Sequence, residues 1–466
     1  MSQDNPAVRL PALLYGLEDR PGTAASLLAA LQHLLASIVG IVTPTLIIGG
    51  ALGLGQYIPY LISMSLFVSG VSTWIQSQRV GPIGSGLLSL QGTSFAFLGS
   101  ILAAGLVAKG RGDTPEQILA LLFGLCLAGS LIEIVLSRFI DKLGRIITPT
   151  VTGIVITIIG LSLVKVGVTD MAGGFGAKDF GSASNMALAL TVITIIIWLS
   201  FARNSMIRLS AILIGLAVGF VIAAFAGMVD FSRLGSQPFF AIPEPFRFGL
   251  AFDWALFIPI AFLYLITAIE TTGDLTANSV ISGEPVKGPV YMKRIKGGIL
   301  GDGLNSALAA VFNTFPNTTF SQNNGVIQLT GVASRHVGKY ISGLLVLLGL
   351  FPIFGAVFVL LPKPVLGGAT LVLFGSIAVA GIRILSTQTI DRKAIYVMAL
   401  SFGFGLGVSM VPNALSGLPD AVQKVIGSPI TISGITAILL TLILPDEPPA
   451  AAHDEKVVAK PAVATN

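Results

Sequence analysis

Runs of apolar residues recur along almost the whole chain, each close to the roughly 20 residues an α-helix needs to cross a bilayer. They fall at 25–47, 57–77, 85–106, 117–137, 147–168, 186–202, 208–229, 254–278, 296–312, 319–332, 336–361, 365–386, 394–412 and 427–445, about fourteen segments in all. Of the 466 residues, 53% are hydrophobic and only 11% charged, against about 25% charged in a soluble domain. Lipid offers the backbone no hydrogen bonds, so such segments must be helices. The expected class is an all-α polytopic membrane protein. The net charge of +5 is spread over short loops and does not point to nucleic acid.

Two segments break the pattern. The third, GSGLLSLQGTSFAFLGS (84–100), is rich in Gly and Ser and carries Gln91, Thr93 and Ser94 at its middle. The tenth lies in FNTFPNTTFSQNNGVIQLTG (312–331), crowded with amides and hydroxyls, broken by Pro316 and Gly325, and free of Lys, Arg, Asp and Glu. It is either a polar extramembrane loop or a broken intramembrane segment. The second requires it to line a cavity or be buried in protein. Paired, interrupted segments in corresponding halves point to a transporter site.

These two segments are each third in a run of seven. The fifth and twelfth also compare, with Val151, Gly153 and Gly167 facing Val365, Gly367 and Gly381. A seven-span unit repeated in series is inverted. Most of the 27 Lys and Arg residues fall on one side if the N-terminus is cytoplasmic, so both termini are expected there. Residues 1–24 read as a polar tail without a signal peptide, and 446–466 as a disordered tail. The single cysteine, Cys126, excludes an intrachain disulfide.

Charged groups within spans are costly and mark function. Glu270 and Asp274 are one turn apart in the eighth span, and Asp302 is in the ninth. Glu133, beside Arg138, reads as an interface charge near a helix end. His33 in the first span is either a packing residue or a site residue. No metal-ligand motif, phosphate-binding loop or catalytic triad is present, so neither an enzyme nor ATP-driven transport is expected. A carboxylate, a primary amide and backbone groups suit a planar heterocycle with alternating N–H and C=O edges. Phe95 and Phe97 could stack on such a ring or simply pack.

The run QNNGVIQLTG, Gln322 to Gly331, resembles the signature of the nucleobase–ascorbate transporter family (nucleobase:cation symporter 2). Gln322, Asn323, Gly325, Thr330 and Gly331 match its fixed positions. LEDRP (17–21), QHLLA (32–36), GSGLLS (84–89), RIITPTVTG (145–153), ETTGDLTA (270–277), RIKGGIL (294–300) and GLFPIFGAVF (349–358) are similar to its bacterial xanthine-permease branch. The likeness runs from about residue 15 to 445.

The resemblance implies fourteen segments as two inverted repeats of seven, with short strands in segments three and ten. It implies a core domain (25–137 and 254–361) moving as an elevator against a gate domain (138–253 and 362–445). It further implies a homodimer in the bacterial inner membrane, driven by protons or, in some animal members, sodium, with no bound cofactor. Residue by residue, Glu270 matches the substrate-binding carboxylate, Gln322 the signature amide and Asn323 its neighbour. Asp302 and Asp274 match acids needed for activity or near the site, and His33 matches a first-span histidine that supports affinity. Ser94 and Phe95 fall where the family has a polar residue and a stacking aromatic; Ser94 departs from members with Asn there. Backbone N–H groups near Ser321 would complete the pocket. The expected function is proton-coupled uptake of an oxidised purine, xanthine first and urate second. The alternatives are a uracil permease, an anion transporter of similar architecture and, further off, a membrane enzyme.

Overall fold

The computed structural model describes residues 13–143, 148–231, 240–388 and 390–445. The expected disordered tail at 446–466 lies outside them. The first half holds helices α1 (Thr23–Leu52), α2 (Ile58–Gln78), α3 (Leu98–Gly110), α4 (Pro115–Phe139), α5 (Pro149–Met171), α6 (Ala183–Ser200), α7 (Ser205–Leu209) and α8 (Ala211–Phe225). The second half holds α9 (Trp254–Ile281), α10 (Gly288–Val311), α11 (Ser321–Thr330), α12 (Val337–Gly349), α13 (Pro352–Val359), α14 (Lys363–Leu385), α15 (Arg392–Met410), α16 (Asp420–Ile426) and α17 (Pro429–Ile443). Strands β1 (Gln91–Thr93) and β2 (Asn317–Thr319) precede α3 and α11.

Among the described residues, eight helices are long and apolar enough to cross a membrane, and nine if α12 and α13 count as one bent span. The protein is therefore a multi-pass membrane protein. The other expected segments hold shorter or more polar helices. The eleventh segment is bent by 74° between α12 and α13, where Pro352 begins a new helix because proline cannot continue the old one.

β1 and β2 pair antiparallel, Gln91 with Thr319, Gly92 with Thr318 and Thr93 with Asn317. All six residues are buried. A three-residue ladder is viable at this depth because protein covers it: the Phe320 N–H bonds to Leu90 O and the Ser94 N–H to Pro316 O, extending the pairing at both ends. Gly92 is where the ladder meets α1, since a Cβ there would collide with the Phe320 ring and lie 2.9 Å from Ile41 Cγ1. α5 and α14 pack along their length, and α10 packs closely on α4.

Candidate functional site

The side chains of Gln91, Thr93, Asn317 and Thr319 alternate with Gly92 and Thr318, so they share one face of the ladder. That face meets α2, α9 and α10. Asn317 Nδ2 donates to Ser72 Oγ on α2 (3.3 Å), and Thr319 Oγ1 donates to Asp274 Oδ2 on α9 (3.1 Å). Ser306 Oγ on α10 donates to Asn317 O at 3.0 Å.

Asp274 ties α9 to the start of α11. Its Oδ1 accepts from Ser321 Oγ at 2.5 Å, and its backbone carbonyl accepts from Asn324 Nδ2 at 3.2 Å. No side chain caps α11; the Asn323 N–H bonds back to Phe320 O, which leaves the Ser321 and Gln322 N–H groups and their partial positive charge to act on a ligand. Gln322 is half-buried in that first turn. Glu270 lies one turn before Asp274 on α9, so Gln322 and Glu270 occupy adjoining turns of two helices tied together. Glu270 Oε2 is buried without a hydrogen-bond partner.

Asp302 is held differently. Gln76 Nε2 donates to its Oδ1 at 2.8 Å and Thr271 Oγ1 to its Oδ2 at 2.5 Å. Gln76 also donates to Gly298 O (3.0 Å) and accepts from Ser85 N (2.9 Å), joining α2, α10 and the loop before β1. Asp302 is thus saturated by α2 and α9, whereas Glu270 keeps a free oxygen.

Asn323 Nδ2 donates to Leu88 O at 2.6 Å, and Asn278 Nδ2 donates to the same carbonyl at 2.8 Å. His33 on α1 is fully buried beside Asn323. Neither of its ring nitrogens has a hydrogen bond, nor does Asn323 Oδ1. Ser94 Oγ is likewise buried without a partner. Phe95 is packed edge-on to Phe374 of α14, with ring centroids 5.4 Å apart.

Glu133 is not the interface charge expected from its neighbour Arg138. It is fully buried with both carboxylate oxygens unpartnered. Thr267 of α9 lies alongside, and Asp302 and Glu270 are the charged groups nearby. The α4 and α10 backbones nearly touch here: a Cβ on Gly303 would lie 2.9 Å from Ile134 N. Gln76 and Thr271 are site residues that the sequence did not single out, and Glu133 is one that it placed at the interface. For Thr271 the available signal was a hydroxyl beside Glu270 in an apolar span, whereas Gln76 lies among the serines and threonines of α2 and carried none.

A family model described as "Permease family" matches residues 24–414. This chain belongs to that family. Xanthine permease XanP of Escherichia coli strain K12 is 48% identical over 440 residues, covering 93% of this permease and 95% of the relative. Xanthine permease XanQ of the same strain is 44% identical over 437 residues, covering 93% and 94%. These names are those of permeases, not enzymes, and they place the chain in the xanthine-permease branch that its motifs resemble. Among solved structures, the transmembrane domain of the cyanobacterium bicarbonate transporter BicA superposes with a TM-score of 0.57 at 16% identity, covering 88% of this permease and 99% of that chain. The murine Solute Carrier 26 family member A9 anion transporter gives 0.58 at 13% identity, covering 89% and 68%. These two likenesses speak to the fold alone.

Proposed function

We propose that this permease imports xanthine by proton symport. The observation that carries this reading is Glu270 Oε2, buried without a partner, one turn from the Asp274–Ser321 bond that brings α11 to α9. A buried acceptor without a donor is costly, and a purine N–H would satisfy it. In this reading Glu270 and Gln322 take the polar edge of the ring, and the N–H groups at Ser321 take a carbonyl. Phe95 stacks, and Ser94, Asn323 and His33 complete the pocket. The coupled proton resides on an acid among Glu270, Asp274 and Asp302. The substrate assignment is supported by the names of the two Escherichia coli relatives; urate is the alternative within the same site. No resident cofactor is assigned.

Fourteen segments in two inverted repeats form part of the same proposal. Two contacts support the repeat. The strands that precede α3 and α11 pair with each other, and the α5–α14 glycine contacts interchange when Gly153 is matched to Gly367 and Gly167 to Gly381. The core (25–137, 254–361) would slide against the gate (138–253, 362–445) as an elevator, in a homodimer with cytoplasmic termini.

Radiolabelled xanthine uptake into vesicles, with unlabelled bases competing, varied pH and an uncoupler, tests the reading. Xanthine should compete best, and the uncoupler should abolish accumulation. Glu270→Gln should reach the membrane and lose uptake; full accumulation in that variant would sink the assignment. An anion transporter would want a cationic centre, and the acids at this site disfavour it.

A further inference from the structure

A cavity of about 530 Å³ lies between the C-terminal ends of α2 and α4 and the first turns of α10. Arg79, Arg138, Lys293 and Lys296 line it, with Pro289 and Gly297 among its walls. Lys296 is paired with Asp141 at 3.0 Å. Arg79, Arg138 and Lys293 form no ion pair among the described residues, which leaves three cations facing one hollow. The α10 N-terminus opens on the same place, with Pro289 at its start and no side-chain cap. A helix N-terminus adds a partial positive charge and free N–H donors. Arg79 also takes φ 60°, a conformation that a non-glycine residue adopts at an energetic cost.

The exposed face of α4 next to it is apolar. Leu131, Val135 and Phe139 recur at every fourth residue of α4 and are 56%, 56% and 49% exposed, so they form one outward stripe. It ends beside Arg138, and Lys142 lies over the Phe139 ring at 5.5 Å. Trp74 on α2 is also exposed, as tryptophans at a membrane interface are. A solvated fringe of basic residues needs neither a hollow between three helices nor an apolar stripe that ends beside it.

We propose that this cavity binds the phosphate headgroup of an anionic phospholipid, with an acyl chain lying along the Leu131–Val135–Phe139 stripe. The headgroup supplies the missing counter-charge for Arg79, Arg138 and Lys293 and accepts from the α10 N-terminus. The chain gives the headgroup its affinity over free phosphate. A lipid seated there bridges α2, α4 and α10, the helices that carry Gln76, Glu133 and Asp302.

Purified, delipidated protein is titrated with phosphatidylglycerol, phosphatidylcholine or inorganic phosphate, and bound species are counted by native mass spectrometry. Phosphatidylglycerol should bind in preference to phosphatidylcholine, and inorganic phosphate should bind far more weakly. The double variant Arg138→Gln, Lys293→Gln should lose about 25-fold in phosphatidylglycerol affinity, taking roughly fivefold per basic residue, with phosphatidylcholine unchanged. If the double variant is not recovered folded, each single variant should lose about fivefold. Equal retention of the two lipids overturns the proposal. So does phosphate binding as tightly as phosphatidylglycerol, or a preference for phosphatidylglycerol that survives the substitutions.

Discussion

Gly153 and Gly381 hold α5 and α14 backbone to backbone: a Cβ on Gly153 would lie 3.0 Å from Gly381 O, and one on Gly381 would lie 2.7 Å from Gly153 O. At the other end of the same pair, a Cβ on Gly167 would lie 3.3 Å from Leu371 Cα, and one on Gly367 would lie 2.6 Å from Asp170 C. With Gly153 matched to Gly367 and Gly167 to Gly381, two contacts correspond: Gly153 with Leu385 and Gly367 with Met171, and Gly381 with Thr157 and Gly167 with Leu371. Small residues are what permit such an approach between membrane helices.

Gly381→Val should therefore separate the helices and lower the thermal stability of the detergent-solubilised protein by about 1–3 kcal/mol or more, as overpacking does. Gly375→Ala on the same helix, with nothing within 4 Å, is the control and should be neutral. Fluorescence-detected gel filtration after heating reads both. Equal tolerance of the two substitutions would mean that α5 and α14 are not packed this way.

Gln76→Leu should be strongly destabilising. It removes the donor to Asp302 Oδ1 and the acceptor for Ser85 N, leaving a buried acid and a buried N–H short of partners. Each unmet group costs about 1–3 kcal/mol. Gln76→Glu should fail as well, since it sets two acids against one another. Stability and uptake should fall together in both variants, and unchanged stability in Gln76→Leu would refute the bridging role.

What could be read from the sequence followed from contrast. The tenth segment stood out because a neutral polar run lies between apolar ones, and Glu270 because an acid inside FLYLITAIE has no water to face. Gln76 did not stand out. It sits among the serines and threonines of α2, and its importance comes from Asp302, 226 residues away. The strand pair was expected only through family resemblance, because three residues carry no periodicity. Glu133 was misread for a geometric reason. Five residues of helix separate it from Arg138, about 7.5 Å at 1.5 Å per residue, which is enough to pass from the interface into the protein.

Asp253 offers a test outside the membrane. It caps α9 by accepting from the Ala255 and Leu256 N–H groups. The Arg111 guanidinium beside it, at 2.8 Å, holds its carboxyl below the usual carboxylate range, helped by those two N–H groups. A group with a lowered folded-state pKa stabilises above its unfolded value, and that stability is lost as pH falls through the folded value. Asp253→Asn keeps a capping side chain but loses the charge. It should lower stability at neutral pH by no more than about 1 kcal/mol, given the solvent exposure. Its melting temperature should meet the wild type's once the pH falls below the carboxyl's range. A gap that widens with acid would be the wrong sign.

Glu133→Gln separates charge from shape. Both oxygens of Glu133 are buried without a hydrogen bond, no cation is paired with it among the described residues, and Asp302 and Glu270 are its charged neighbours. An uncompensated ion at such a place costs several kcal/mol. An amide of the same shape should therefore fold and reach the membrane, with stability within about 1 kcal/mol of wild type. If the carboxyl only fills space, xanthine uptake and its dependence on pH should be unchanged. If it exchanges a proton with Glu270 or Asp302 during transport, xanthine should still bind, but proton-driven accumulation should fall about tenfold and its pH profile should flatten. The second outcome is expected, because a carboxyl buried beside two other acids gains nothing structurally over the glutamine that would replace it. A folded Glu133→Gln protein with the wild-type pH profile would refute it. Wild-type uptake indifferent to the uncoupler would instead refute proton coupling itself, so the two failures are told apart.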